Sequence, residues 1–245
     1  MTISGWNKKY QEILQEFKFN EKQDVESAII LNSILIKPIS VKKIKKLIKG
    51  KTVFIIGTGP SLSIAIPVLK NFKTTLKIVA DSALKSLVDN GIKPDIVVTD
   101  LDGDKNSLLR VGKTNSIFVV HAHGDNISKL CLVENFKNCI GTTQVKSFKN
   151  IQNFGGFTDG DRAVFLASYF EAKKIILFGM DFGKKIGRQS HTEAKDRKIK
   201  LKKLRKGKSL LEWLAQKTRS QLFTTSSPIT GFEKISYREL DIIIT

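Results

Sequence analysis

The stretch Asp95-Ile-Val-Val-Thr-Asp100-Leu-Asp102-Gly-Asp104 joins a short apolar run to carboxylates at alternate positions. The apolar run predicts a strand, and along extended backbone residues i, i+2 and i+4 project to one side. Asp100, Asp102 and Asp104 can then converge beyond the strand's carboxyl end. Hard cations such as Mg²⁺ are held by a few carboxylates, with phosphate oxygens and water completing the shell. Asp and Gly after a strand also form solvated turns, so this segment alone supports two readings.

Its surroundings favour the cation. The 245-residue chain carries 42 Lys+Arg against 23 Asp+Glu, a net charge of +19. Yet Asp81, Asp89, Asp95, Asp100, Asp102 and Asp104 crowd a window whose only basic residues are Lys85 and Lys93. An acidic cluster in a basic protein asks for a metal.

Working outward, short apolar strands alternate with helical patterns. Strands are predicted at 52–56, 75–80, 95–98, 116–120, 174–178 and 221–225, and helices around 61–71, 83–90, 127–134 and 162–171. Apolar strands separated by helices predict an α/β fold, a mainly parallel Rossmann-like sheet with helices on both faces. Before it, 6–19 and 24–37 show helical spacing and predict an N-terminal helical cap over residues 1–50. The α/β catalytic domain is expected at 51–185, with a basic helix and final strand at 186–245 packed on it.

Composition narrows the class. A hydrophobic share of 41% suffices for a packed core. Cys131 and Cys139 stand alone, without zinc or disulfide spacing, as expected of buried thiols in a reducing compartment. The opening Met1-Thr-Ile-Ser lacks a basic n-region and apolar h-region, and no apolar run is long enough for a membrane span. A soluble cytoplasmic protein with no membrane partner is expected. Between Lys184 and Arg219 lie fourteen Lys/Arg and three Asp/Glu, interleaved with Ile199, Leu201, Leu204, Leu210, Leu211 and Leu214. That pattern predicts a basic amphipathic helix. No nucleic-acid motif accompanies it, so a polyphosphate substrate is expected and nucleic acid is not. Homo-oligomerisation is left open.

In open α/β sheets, ligands bind outside the carboxyl ends of strands, and the polar motifs of this chain fall there. After the first strand comes Gly57-Thr58-Gly59-Pro60-Ser61, with glycines for close backbone approach and Pro60 suited to a first helical position. Amides at such a helix start bind phosphate. The spacing is neither that of a dinucleotide fingerprint nor that of a P-loop. Asp81 ends the second strand, and His121-Ala-His123-Gly-Asp125 the fourth, with Asp125 a further Mg²⁺ ligand in preference to a transition-metal site built on the two histidines. Gly155–Arg162 precedes a helix and carries Asp159 and Asp161, and Gly179-Met-Asp181-Phe-Gly183 ends the 174–178 strand.

The run from Asp81 through Pro94-Asp95 to Asp100-Leu-Asp102-Gly resembles the catalytic half of thiamine pyrophosphokinases, with Thr99 and Gly103 departing from that pattern and the β-rich thiamine-binding half missing. Gly57-Thr-Gly-Pro-Ser-Leu62, Val98–Gly103, Val120–Asn126, Gly141-Thr-Thr-Gln144, Phe157–Arg162 and Gly179–Gly183 together more closely resemble the archaeal-type 6-hydroxymethyl-7,8-dihydropterin pyrophosphokinases. The resemblance covers roughly residues 51–225 and implies a thiamine pyrophosphokinase-like catalytic domain. It implies transfer of diphosphate from ATP to a reduced pterin, releasing AMP, in folate or methanopterin cofactor synthesis. Asp100, Asp102 and Asp125 are then the catalytic Mg²⁺-binding acids. ATP and its phosphates are assigned to Gly57–Ser61, Thr143, Gln144, Lys200 and Lys203, and the pterin to Asp81, Asp159, Asp161 and Arg162. The Gly-x-Gly-Pro-Ser-Leu loop also resembles sialyltransferase-like and flagellin-glycosylation proteins, which makes a nucleotide-sugar glycosyltransferase the alternative.

Overall fold

The computed structural model describes residues 2–183 and 196–244. Among them β1 (Thr52–Ile56), β2 (Leu76–Ala80), β3 (Ile96–Thr99), β4 (Ile117–Ala122), β5 (Cys139–Thr143), β6 (Ile151–Gln152), β7 (Lys174–Phe178), β8 (Gln221–Thr224) and β9 (Glu233–Lys234) form one sheet. Every pairing is parallel, in the order β6-β5-β4-β3-β2-β1-β7-β8-β9. Both edges are two-residue strands, too short to template further pairing.

Two layers bury the two faces of the strands. Val53, Ile55, Ile78, Ile96, Val98 and Leu177 pack under α1 (Trp6–Phe17), α3 (Val41–Ile48), α7 (Asp159–Tyr169) and α8 (Arg197–Ala215). Phe54, Ile56, Val97, Phe118, Val120 and Phe178 pack under α2 (Glu21–Ile34), α4 (Leu62–Leu69), α5 (Asp81–Asp89) and α6 (Lys105–Gly112). Period-two alternation explains the division, since successive side chains of a strand point to opposite faces. The first three helices are shared between the layers: Trp6 of α1 meets Phe165 of α7 edge-on at 5.6 Å, while Ala28 and Leu31 of α2 belong to the opposite layer. The predicted helix 127–134 is instead a 3₁₀ segment over Gly124–Asn135. A short C-terminal helix, α9 (Leu240–Ile244), completes the second layer.

β5 escaped the sequence reading because Cys139-Ile-Gly-Thr-Thr143 holds a glycine where an apolar residue would mark a strand. A Cβ at Gly141 would lie 2.5 Å from Ile151 Cδ1 and 2.8 Å from Leu35 Cδ1, so α2 and β6 need that gap. In α8 only the C-terminal half of the expected apolar stripe is buried: Leu210, Leu211 and Leu214 are in the core, whereas Ile199 is exposed.

The strand order positions the site. The chain lays down β1 to β6 in one direction and then returns to place β7 on the other side of β1. Connections leaving β1 and β7 diverge, and the crevice between them lies at the carboxyl ends of the strands.

Candidate active site

A cleft of about 180 Å³ opens at this switch point, lined by Gly57, Thr58 and Gly59 after β1 and by Gly179–Phe182 after β7. The glycines answer a steric demand. A Cβ at Gly57 would lie 2.6 Å from Met180 Sδ, and one at Gly59 2.3 Å from Asp181 Oδ2. Asp181 Oδ2 accepts hydrogen bonds from the Ser61 amide (2.8 Å) and hydroxyl (2.7 Å), tying the two loops together. Ser61 is thus a brace rather than a lining residue. Pro60 precedes the helix instead of opening it: α4 begins at Leu62, with Ser61 at its N-cap.

Asp100, Asp102 and Asp159 line the same cleft, and buried Asp81 joins them in a group of four carboxylates. Ligand atoms of Asp81, Asp100, Asp102 and Asp159 all lie within 4.8 Å of one another. Asp81 and Asp159 are the first residues of α5 and α7, where helix amides favour negative charge. Asp100 and Asp102 follow β3, and their convergence does not come from extended backbone. Leu101 between them has φ 69°, a left-handed turn that bends both carboxylates inward. Asp104 leaves this set, because its carboxylate caps α6 by accepting from the Ser107 amide at 2.9 Å.

Four close carboxylates cannot all ionise freely. Burial pushes Asp81 up to about 7, helped by the charges of Asp102 and Asp100 and opposed by the Thr99 hydroxyl. Partial desolvation and neighbouring Asp100 push Asp102 up to about 6, although its side chain still reaches solvent. Burial and Asp100 also hold Asp159 well above the carboxylate range. Burial alone would raise Asp100, but hydrogen bonding to His123 and the charge of Arg162 outweigh it and hold this carboxyl low. His123 is oriented for that bond. Its Nδ1 accepts from the Asp125 amide (3.3 Å), leaving Nε2 to donate to Asp100 Oδ2 at 3.4 Å. Asp81 Oδ1 and Asp100 Oδ1 are buried without a hydrogen-bond partner. Free lone pairs on clustered carboxylates are what a hard divalent cation takes, so these residues fit one.

The other predicted residues divide sharply. Lys200 and Lys203 of α8 line the cleft. Lys202 does not; its Nζ sits 4.6 Å over the Phe17 ring and donates to the Glu16 carbonyl. Arg162 is buried beside the acids, with Nη1 3.2 Å from Asp159 Oδ1. Asp125 stays outside the four-acid group, its side chain 69% exposed. The set Asp100, Asp102 and Asp125 is thus not the one the fold assembles, because the chain turns into a 3₁₀ segment at Gly124 and carries Asp125 outward. Asp161 is turned away too: its oxygens accept from the amides of Phe157 and Thr158 and from the Thr158 hydroxyl, closing a capping box on α7. Thr143 ends β5 and Gln144 follows it, both buried and four strands away from β1 and its glycine turn.

Sequence reasoning missed His123 as the partner of Asp100, and Asn126, whose Nδ2 donates to the Asp100 (2.8 Å) and His121 (2.7 Å) carbonyls. Of the two histidines, ranked below the acids as metal ligands, His121 is buried with Nδ1 against Thr142 Oγ1 at 3.2 Å, and neither belongs to the metal-suited group among the described residues.

A parallel α/β sheet that sets a phosphate-suited glycine turn against a cation-suited acid cluster defines the class. Over residues 30–187 the chain matches the family of 6-hydroxymethylpterin diphosphokinase MptE-like proteins, and it belongs to that family. It is 45% identical over 235 residues to the 6-hydroxymethyl-7,8-dihydropterin pyrophosphokinase of Methanocaldococcus jannaschii, covering 89% of this chain and 97% of that one. The protein of the same name from Pyrococcus furiosus is 40% identical over 233 residues, 92% of this chain and 100% of its own. Among solved structures, the MAf glycosyltransferase from Magnetospirillum magneticum AMB-1 superposes with a TM-score of 0.60 at 17% identity. That match covers 78% of this chain but only 34% of the glycosyltransferase, and it shows a shared fold.

Proposed function

We propose that this protein transfers a diphosphoryl group from ATP to 6-hydroxymethyl-7,8-dihydropterin in an Mg²⁺-dependent reaction. The pterin hydroxyl oxygen attacks the β-phosphorus, the bond to the α-phosphate oxygen breaks, AMP leaves, and the hydroxyl proton is released. The reading rests on one observation above others: four carboxylates gather within 4.8 Å, and three of them, Asp100, Asp102 and Asp159, line the switch-point cleft with the glycine turn. The family membership and the names of the near-full-length relatives support the same reaction.

Each part of the cleft has a task in it. Gly57, Thr58 and Gly59 offer backbone close to the triphosphate at the approach to α4. Lys85, Lys200 and Lys203 line the same space and offset phosphate charge. Asp81, Asp100, Asp102 and Asp159 would hold Mg²⁺, with Asp100 kept ionised by His123 and Arg162. An ion held by these acids would supply positive charge to offset that of the phosphate oxygens. Asp125, beyond the cluster, is left an outer role through His123. The catalytic body at 51–185 is read as thiamine pyrophosphokinase-like, with the tail from 186 supplying lysines. The chain acts on soluble metabolites in the cytoplasm, and its positive charge serves ATP rather than nucleic acid.

The deciding experiment measures AMP release from ATP with the pterin or thiamine as acceptor, with and without Mg²⁺. Mg²⁺-dependent AMP formation with the pterin is expected, together with a diphosphorylated pterin. Equal turnover of thiamine, or none with the pterin, would sink the reading.

A further inference from the structure

Beside the main cleft lies a smaller recess, about 40 Å³ against about 180 Å³, and Asp100, Phe157 and Lys203 line both. Its far wall comes from Phe19 and Asp24 at the N-terminal helices and from Gln144 after β5, with Arg162 of α7 beside them. Gln144 and Arg162 each carry a buried polar atom with no partner, Oε1 and Nε, on side chains only 4% and 7% exposed. An unpaired buried polar atom costs about 1–3 kcal/mol, so two of them on side chains that line one recess call for a ligand.

The amide of Gln144 is held in one orientation. Its Nε2 donates to Asp24 Oδ2 at 2.8 Å, and the same oxygen accepts the Tyr10 hydroxyl at 2.7 Å. Asp24 Oδ1 accepts the Gly124 amide at 2.9 Å. With the carboxylate taking the amide nitrogen, the Gln144 carbonyl is left over as an acceptor. Deep in the recess an unpaired acceptor and an unpaired cationic donor thus stand beside an apolar wall, in which the Phe19 and Phe157 ring centroids lie 6.2 Å apart and tilted by 44°.

We infer that this recess is the acceptor subsite and takes the amino-oxo edge of a flat, lactam-bearing heterocycle. Gln144 Oε1 accepts from a ring N–H or amino group, and Arg162 Nε donates to the ring carbonyl. At about 40 Å³ the recess admits one edge of such a ring and no more, and its opening at Asp100, Phe157 and Lys203 directs the hydroxymethyl arm toward the triphosphate cleft. The N-terminal helices are then part of the substrate site through Phe19, Asp24 and Tyr10. The assignment rests on the pterin reading above and adds where and how the ring is held.

The test titrates 6-hydroxymethyl-7,8-dihydropterin into the full chain by fluorescence and, separately, a non-hydrolysable ATP analogue with Mg²⁺. Gln144→Leu removes the acceptor, and Phe19→Ala shortens a half-buried wall residue at the edge of the core. Each should weaken pterin binding at least tenfold and change the analogue's Kd less than twofold. A pterin Kd within twofold of the wild type in both variants, while the wild type turns the pterin over, overturns the recess and leaves the proposed reaction standing. A wild type that neither binds nor turns over the pterin removes both.

Discussion

The carboxylate of Asp81 fills the space that a β-carbon on residue 103 would need: an ideal Cβ at Gly103 would lie 1.4 Å from Asp81 Oδ1. The Gly103 amide donates to the other oxygen, Oδ2, at 3.1 Å, and the Thr99 hydroxyl donates to that same oxygen. Thr99 Oγ1 in turn accepts the Leu101 amide at 2.7 Å. The two departures from the thiamine pyrophosphokinase pattern, Thr99 and Gly103, are thus the two residues that seat Asp81 in the acid cluster. Gly103→Ala should displace Asp81 and lower turnover by about a hundredfold or more, the scale of losing one preorganised charge-stabilising group. Steady-state AMP release checks it, and near-wild-type turnover would show that Asp81 is not needed where it sits.

Asp100→Asn and Asp125→Asn separate the acids brought together from the one left outside. The first should lower kcat by about 10²-fold or more, since it neutralises the one cluster carboxyl that His123 and Arg162 hold ionised. The second should cost less than about tenfold, because Asp125 reaches the cluster only through His123. Similar losses in both variants would restore Asp125 as a direct ligand.

Protons and a cation should compete for the cluster. Asp81 stands at about 7 in the fold against 3.8 for an ordinary aspartate, and Asp102 at about 6. Both values are raised, so their contribution to stability is fully present below the unfolded value and is lost as pH rises through about 6 to 7. Without divalent cation, Tm should fall as pH is raised from 5 toward 7.5. Added Mg²⁺ should restore several degrees at pH 7.5 and much less at pH 5. Thermal melts across that grid would refute the cluster as a cation site if the Mg²⁺ effect were absent or independent of pH.

On α8 the lysines differ by direction. Lys200→Ala should raise the KM for ATP several-fold, while Lys202→Ala, which loses only contacts to Glu16 and Phe17, should leave it within about twofold. Initial-rate measurements at varied ATP decide this. Salt-steep binding of DNA or RNA at physiological ionic strength would instead assign the basic face to nucleic acid.

Asp161 should matter for stability. Asp161→Ala opens the box at the start of α7 and leaves two amides and the Thr158 hydroxyl without their acceptor, at a cost of about 2 kcal/mol. Denaturant unfolding measures it, and an unchanged midpoint would mean that the cap contributes nothing.

By itself, the sequence determined that apolar strands alternate with helices, that polar motifs collect at the strand ends, and that Asp100 and Asp102 belong together after β3. Those features are local: strand periodicity reports burial, and neighbours two residues apart share a short piece of backbone. Only the tertiary structure decided which distant groups join them. Asp81 and Asp159 meet at one point because β1, β2 and β3 lie side by side and α7 crosses their ends, which no spacing along the chain records. Asp125 and Asp161 match their neighbours in composition, yet a 3₁₀ turn carries one outward and a capping box consumes the other. The recess built by Phe19, Asp24, Gln144 and Arg162 draws on four separate segments, and only packing of the N-terminal helices on the sheet brings them into contact.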